Sequence, residues 1–265
     1  HKEYRRQRQM CIRDRIKLAV VGSSLTSSRL PEVSQRQDLL SREFRPENLR
    51  TWLDRVAAGP AVVLVASVHD RAAVGLEAAI AEVATTGPRT LRQRRVTGEH
   101  LPIEVDVDEP GRVGIDRVAA AAAVAVAKDE GRPAVVVDCG TATTVDLVSS
   151  DGRFLGGAIL PGPGLLARAL AEGTSRLPAV ADLDSGALPA IPGRNTQQAI
   201  AAGIGFGMRG AVARLVAEAS AAVGGEPHLF LTGGSRGIVR DALPAAVEIP
   251  DLVLHGIALA AGRVQ

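Results

Sequence analysis

Residues 135–146, Val-Val-Val-Asp-Cys-Gly-Thr-Ala-Thr-Thr-Val-Asp, limit the possible folds of this chain more than any other stretch. An apolar strand delivers Asp138-Cys139-Gly140-Thr141 into a tight turn, and a second strand leaves it. Such a corner can hold phosphates. Gly140 lets the backbone approach an anion, the Thr141 hydroxyl and neighbouring N–H groups can donate hydrogen bonds, and Asp138 can hold a cation or a water. A plain hairpin with a polar corner has the same local pattern, so the neighbouring segments decide between the two.

Along the chain, Ile16 to Val21 reads as a strand, Ser23 to Ser28 as a polar turn, and Pro46-Glu47 as the opening of an amphipathic helix with Leu49, Trp52, Leu53 and Val56. Ala61 to Val68 reads as a buried strand, Arg71 to Ala84 as a helix, Ile103 to Val107 as a short strand and Asp116 to Lys128 as an alanine-rich helix. The second half begins with strands at Ala134 to Val137, Thr143 to Ser149 and Arg153 to Ala158, a meander turning at Asp151-Gly152. Helices at Gly164 to Glu172 and Asn195 to Ala219 follow, then a strand at His228 to Thr232 and closing helices around Ile238 and over Leu252 to Ala261. Strands followed by helices in each half predict two α/β domains with a cleft between them.

Composition narrows the function classes. With 265 residues, 46% hydrophobic and 23% charged, the balance is that of a soluble globular protein. The longest Ala/Val run, Val118 to Ala127, stops at Lys128, short of the roughly 20 apolar residues of a membrane span, so no membrane association is expected. Two cysteines make no disulfide framework and five scattered histidines have no metal-ligand spacing, which fits a reducing cytoplasm. Of the 31 Lys/Arg and 29 Asp/Glu, residues 1–15 hold six and two, leaving a mildly acidic body with 25 and 27. That leader has no apolar stretch of a signal peptide, and it lacks the interleaved aromatics of a nucleic-acid-binding arm. It is expected to be foreign to the fold, a replacement of a native start, and no nucleic-acid partner is expected.

Four further segments can carry chemistry. In Gly114-Ile115-Asp116-Arg117, Asp116 can cap the alanine-rich helix or take a proton from a hydroxyl, while Arg117 presents a planar fork to a carboxylate or phosphate. Phe154 to Gly164 holds four glycines and two prolines, enough to turn a strand sharply into a helix N-terminus that walls a pocket. Asn195-Thr196 reads as a helix cap or as a polar contact to a substrate, and Thr232-Gly233-Gly234 as a plain loop or as a place where adenine or ribose meets bare backbone. Gly205 to Gly210 matches Gly-x-Gly-x-x-Gly, but inside a helical pattern, so a Rossmann reading is rejected. The chain has neither a P-loop nor a Gly-x-Ser-x-Gly elbow.

Taken in order, Gly-Ile-Asp-Arg at 114–117, Asp-Cys-Gly-Thr-Ala-Thr-Thr-Val-Asp at 138–146, Phe-Leu-Gly-Gly-Ala-Ile-Leu-Pro-Gly at 154–162, Asn195-Thr196 and Thr-Gly-Gly at 232–234 resemble the type III pantothenate kinases. The resemblance runs from about Ile16 to the C-terminus. It implies an actin-like ATPase fold of two RNase H-like domains, here over residues 16–117 and 118–265, forming a homodimer that phosphorylates pantothenate with ATP and Mg²⁺ in coenzyme A synthesis. It further implies Asp116 as proton acceptor, Gly114, Ile115, Arg117 and Thr196 at the pantothenate site, and Thr141 with Gly140 and Gly233 at the nucleotide. Asp138 would hold a potassium or ammonium ion.

Two departures stand out. The family has an N-terminal Asp-x-Gly-Asn-Thr/Ser turn that grips ATP phosphates and Mg²⁺, and this chain has Cys11-Ile12-Arg13-Asp14-Arg15-Ile16-Lys17 at the matching place. The first strand and its phosphate loop are thus expected to be missing and the chain to be a weak kinase. Val107 stands where relatives often carry a substrate-contacting Tyr. The rival readings are a non-catalytic nucleotide-binding transcriptional accessory protein of the same fold, and a sugar or acetate kinase of the superfamily. The latter shares the phosphate turns but not the Gly-Ile-Asp-Arg loop with Asn195-Thr196.

Overall fold

A computed structural model describes residues 15–21, 30–40, 44–56, 59–68, 70–86, 90–181, 183 and 190–264. The basic leader through Asp14 and the turn expected over Ser23 to Ser28 lie outside the described residues.

The larger sheet belongs to the second half. Strands β5 (Ala134–Cys139), β6 (Ala142–Val148) and β7 (Phe154–Pro161) form the expected antiparallel meander. On the other side of β5, β8 (His228–Thr232) and β9 (Val247–Glu248) add in parallel, giving the order β7-β6-β5-β8-β9. The central strand is apolar without alternation because both its faces are covered. Val135, Val137 and Cys139 meet Ile200, Ile204, Met208, Val212 and Val216 of helix α5 (Thr196–Ala222). Ala134 and Val136 meet helix α3 (Ile115–Ala127). At 27 residues α5 is long and apolar enough to cross a membrane by length and composition, but this helical stripe lies against the sheet.

In the first half, β1 (Arg15–Val21) pairs antiparallel with β2 (Val33–Leu40), and β3 (Ala61–Val65) pairs in parallel with β4 (Leu91–Arg95). Helices α1 (Pro46–Val56) and α2 (Asp70–Thr86) close a separate core around Leu18, Leu49, Trp52, Leu53, Val65 and Ile80. Trp52 adds a hydrogen bond from Nε1 to the Gln35 carbonyl, 3.1 Å away. The α/β class expected from the sequence is therefore the one observed.

Several sequence expectations change. The strand begun at Ala61 ends at Val65, and Val62 and Val68 are 61% and 65% exposed, so this segment is not a buried strand. Ile103 to Val107 forms one parallel bridge, Val105 to Phe154, because the hydrogen bonds around Phe154 stop after Glu104 and Asp106 and the charged side chains face solvent. Strands β2 and β4, Val-Ser-Gln-Arg-Gln-Asp-Leu-Leu and Leu-Arg-Gln-Arg-Arg, carry too few apolar residues to show in the sequence pattern. The closing turns around Ile238 are two short 3₁₀ turns.

Helix α6 (Leu252–Leu259) crosses α3, where Ala119, Ala122 and Ala123 are fully buried. The crossing depends on Gly256, where any Cβ would overlap the Ala119 carbonyl. Gly256→Ala is expected to cost about 2 kcal/mol or more through overpacking, read as a lower denaturant midpoint at unchanged slope. Gly207→Ala, on α5 with open space around it, should leave the midpoint unchanged or raise it.

Candidate active site

The turn between β5 and β6 is closed by the Gly140 N–H donating to the Ala142 carbonyl, 3.0 Å. Two glycines wall it. The Gly162 N–H donates to the Thr141 carbonyl at 2.9 Å, and a Cβ at Gly162 would overlap the Gly140 carbonyl. Gly233, with φ of +92°, follows β8, and a Cβ there would stand 2.5 Å from Asp138 Oδ1. Gly162 is also the N-cap of helix α4 (Pro163–Gly173), whose first turn starts beside the Thr141 backbone. Proline holds the first position of that turn and the Leu165 and Leu166 N–H groups donate to the Gly162 carbonyl, which leaves the Gly164 N–H as its open donor. Pro161 and Gly162 pack against the β5–β6 turn without lining the open space, which Gly164, Leu165 and Arg168 of α4 face instead.

The start of α3 forms the facing part of the site. Its N-cap is Gly114 and not Asp116, which sits in the first turn and accepts the Arg117 N–H on Oδ1 at 2.9 Å. The capping reading of Asp116 is thus corrected: the helix begins one residue earlier than its apolar pattern suggests, leaving this carboxylate exposed. A Cβ at Gly114 would come 2.5 Å from Asp116 Oδ1, the movable end of that side chain, so glycine here gives Asp116 room without being demanded by the backbone. Arg117 donates from Nε and Nη2 to Asp146 Oδ1, the former at 2.9 Å, and its guanidinium lies 5.4 Å from the Phe154 ring centroid.

Both parts line one space of about 1560 Å³, which also runs into the N-terminal core between Leu49, Trp52, Leu53 and Ile80. Ile115, Asp116 and Arg117 enter it from α3; Asp138, Gly140 and Thr141 from the β5–β6 turn; and Gly233 from the end of β8. Gly114 stands behind Asp116, outside the lining. Thr196 is exposed and also outside it, and Asn195 caps α5 by accepting the Gln198 N–H at 2.9 Å. Val107 touches the Gly156 position and does not line the cleft. The sequence reading missed six cations of the lining, Lys17, Arg36, Arg92, Arg94, Arg168 and Arg236. For Lys17 a signal existed: Ile16, Leu18 and Val20 point into the N-terminal core, so strand alternation turns Lys17 the other way.

Burial pushes the Asp138 carboxyl up to about 6, against the opposing charge of Lys17 and with help from Asp116 and Asp146. Burial likewise raises Asp146, against the hydrogen bond and charge of Arg117, and it pushes the Cys139 thiol up to about 12. The Asp138 side chain makes no hydrogen bond or ion pair among the described residues. The acceptors at this corner are all oxygen, the Asp138 carboxylate and the Cys139 and Gly140 carbonyls, the two carbonyls packed under Gly233 and Gly162 and the former also accepting the Ser235 N–H at 2.9 Å. That set fits a hard cation. Among the described residues no three acidic, His or Cys side chains converge as a protein-only metal cage.

The profile of a family described as type III pantothenate kinase matches residues 15–218. A type III pantothenate kinase of Rhodopirellula baltica is 40% identical over 224 residues, 80% of this chain and 79% of that one. Another, from Alkalilimnicola ehrlichii, is 38% identical over 202 residues, 76% and 78% of the two chains. Among solved structures, one described as a Baf family transcriptional activator from Campylobacter jejuni superposes with a TM-score of 0.54 at 17% identity. It covers 89% of this chain and 94% of its own, a likeness of fold alone.

The Asp138 carboxyl moves from its ordinary 3.8 up to about 6 on folding, so the folded state binds this proton more tightly than the unfolded one. Stability contributed by the protonated form is present at low pH and is lost as pH rises through the folded value. Asp138→Asn should therefore stabilise the protein at pH 8 by about 2–3 kcal/mol, the gain shrinking steadily from pH 6 towards pH 4. Thermal melts at several pH values check this, and a gain independent of pH would contradict it.

Proposed function

This chain belongs to the type III pantothenate kinase family, and we propose that Asp116 is the proton acceptor of its reaction. The enzyme transfers a phosphoryl group from ATP to pantothenate, giving 4′-phosphopantothenate in coenzyme A biosynthesis. The observation that carries the residue assignment is the meeting of Asp116-Arg117 and the glycine-walled turn at Asp138 to Thr141 in one cleft.

Phosphoryl transfer is governed by alignment and by neutralising the transferred oxygens. The exposed Asp116 carboxylate takes the proton of the pantothenate primary hydroxyl. Arg117 receives the pantothenate carboxylate, and Ile115 packs beside it with Gly114 supporting the loop. Gly140, the Thr141 hydroxyl and the N-terminus of α4 hold the phosphates, and Gly233 gives the nucleoside a bare backbone surface. Asp138 would hold potassium or ammonium, and Mg²⁺ would sit on the nucleotide; both supply positive charge to the phosphate oxygens. Thr196 lies outside the single-chain cleft, so its contact with pantothenate needs a surface beyond it, such as the homodimer that the family implies. Two RNase H-like domains meeting near residues 117 and 118, and a cytoplasmic location, complete the proposal.

Asp116→Asn should lower kcat by about 10²- to 10⁴-fold in a pantothenate-dependent ADP-release assay, while ATP still raises the melting temperature. An accessory regulator would bind ATP without any pantothenate-dependent turnover in the unmutated chain. Placing Asp-x-Gly-Asn-Thr at the position of Cys11 to Arg15 should raise turnover, since the family profile matches from residue 15 onward and this stretch lacks that phosphate loop.

A further inference from the structure

Asp146 ends the motif begun by Asp138, yet the reaction described above does not use it. It is 1% exposed, and its register neighbours are Val136 on β5 and Gly157 on β7. Its Oδ1 takes both Nε and Nη2 of Arg117, and its Oδ2 has no hydrogen-bond partner among the described residues. Gly157 is required first by the backbone of β6, since a Cβ there would overlap the Val145 carbonyl, and it would also come 2.7 Å from Asp146 Oδ1.

A guanidinium has two edges that can meet an anion. Asp146 occupies the side-on edge, while the Phe154 ring lies 5.4 Å from the guanidinium carbon. The end-on edge, Nη1 with the second hydrogen of Nη2, has no partner among the described residues, and the side chain lines the cleft. We propose that Asp146 is the positioning residue for Arg117, turning its free end-on edge toward the carboxylate of pantothenate next to Asp116. This rests on the assignment of Arg117 to the substrate made above.

Stability alone is a poor reason for such a pair. Burying a carboxylate and a guanidinium together is often no better than filling the same space with apolar side chains, and Val136, Val148 and Phe154 already surround this one with apolar groups. Orientation is what the pair supplies. A lysine at 117 would be a point charge on a flexible stem, without one edge to anchor and another to offer. Gly157 and Phe154, both in the Phe-Leu-Gly-Gly segment, thereby gain a role at the site without touching substrate.

The experiment compares Arg117→Gln, Asp146→Asn and the double variant in the full chain. It reads the pantothenate dissociation constant by calorimetry, KM and kcat by ADP release, and the melting shift given by ATP. Each single variant should weaken pantothenate binding and raise its KM by about tenfold to a hundredfold, with the ATP-induced shift intact. The double variant should bind no more weakly than Arg117→Gln alone, since Asp146 acts only through Arg117. A double-variant loss equal to the product of the two single losses overturns the proposal, as does a folded Asp146→Asn with parental pantothenate binding. If Asp146→Asn does not fold, because it strands a buried cation, the double variant against Arg117→Gln still decides, both charges being gone. An unchanged affinity in Arg117→Gln overturns the substrate role of Arg117 itself, a different result from the failure of the Asp146 coupling.

Discussion

Bare backbone meeting bare backbone at the end of β5 is the constraint from which the cleft follows. Gly162 and Gly233 come against the Gly140 and Cys139 carbonyls so closely that any side chain would collide. A turn closed from two sides in this way presents fixed N–H and C=O dipoles, with no flexible side chain between them. Asp138 is half-buried at the same corner because it emerges from the middle strand of a sheet covered on both faces. Its raised carboxyl pKa follows from that position.

The facing wall is held by α3, which belongs to two cores at once. Ala120, Ala121, Ala123 and Val124 lie against the larger sheet, whereas Val118, Ala119 and Ala122 meet Val96 and Leu101, with Leu64 packed against them. Alanine is what permits this, since a helix buried nearly all round must be thin to let β-strands and α6 approach it from several directions. The first turn of this doubly anchored rod carries Asp116 and Arg117. The position of the Asp116 carboxylate is therefore tied to both halves of the chain.

Legibility in the sequence followed burial. The central strand, the meander and the long helices announced themselves because covered surfaces demand apolar residues at regular intervals. Strands β2 and β4 did not, since each lies in a two-stranded sheet and most of their side chains are polar. Ile115, Asp116, Arg117, Asp138, Gly140, Thr141 and Gly233, singled out by motif spacing, line one space in the structure. The same spacing said nothing of the bond between Arg117 and Asp146, 29 residues apart, because only the register of β6 against its neighbours brings that carboxylate under α3. Thr196 shows the opposite failure, a residue adjacent in motif order that the single chain leaves outside the cleft.

The lone tryptophan gives the N-terminal half an optical signature of its own. Trp52 is buried beside Leu49 and Leu53, hydrogen-bonded to the Gln35 carbonyl, in a core separate from the larger sheet. Its emission reports water reaching that one core, while far-ultraviolet dichroism is dominated by the sheet and long helices of the other half. Coincidence or divergence of the two signals during denaturation distinguishes halves that melt as one cooperative unit from halves that melt in turn.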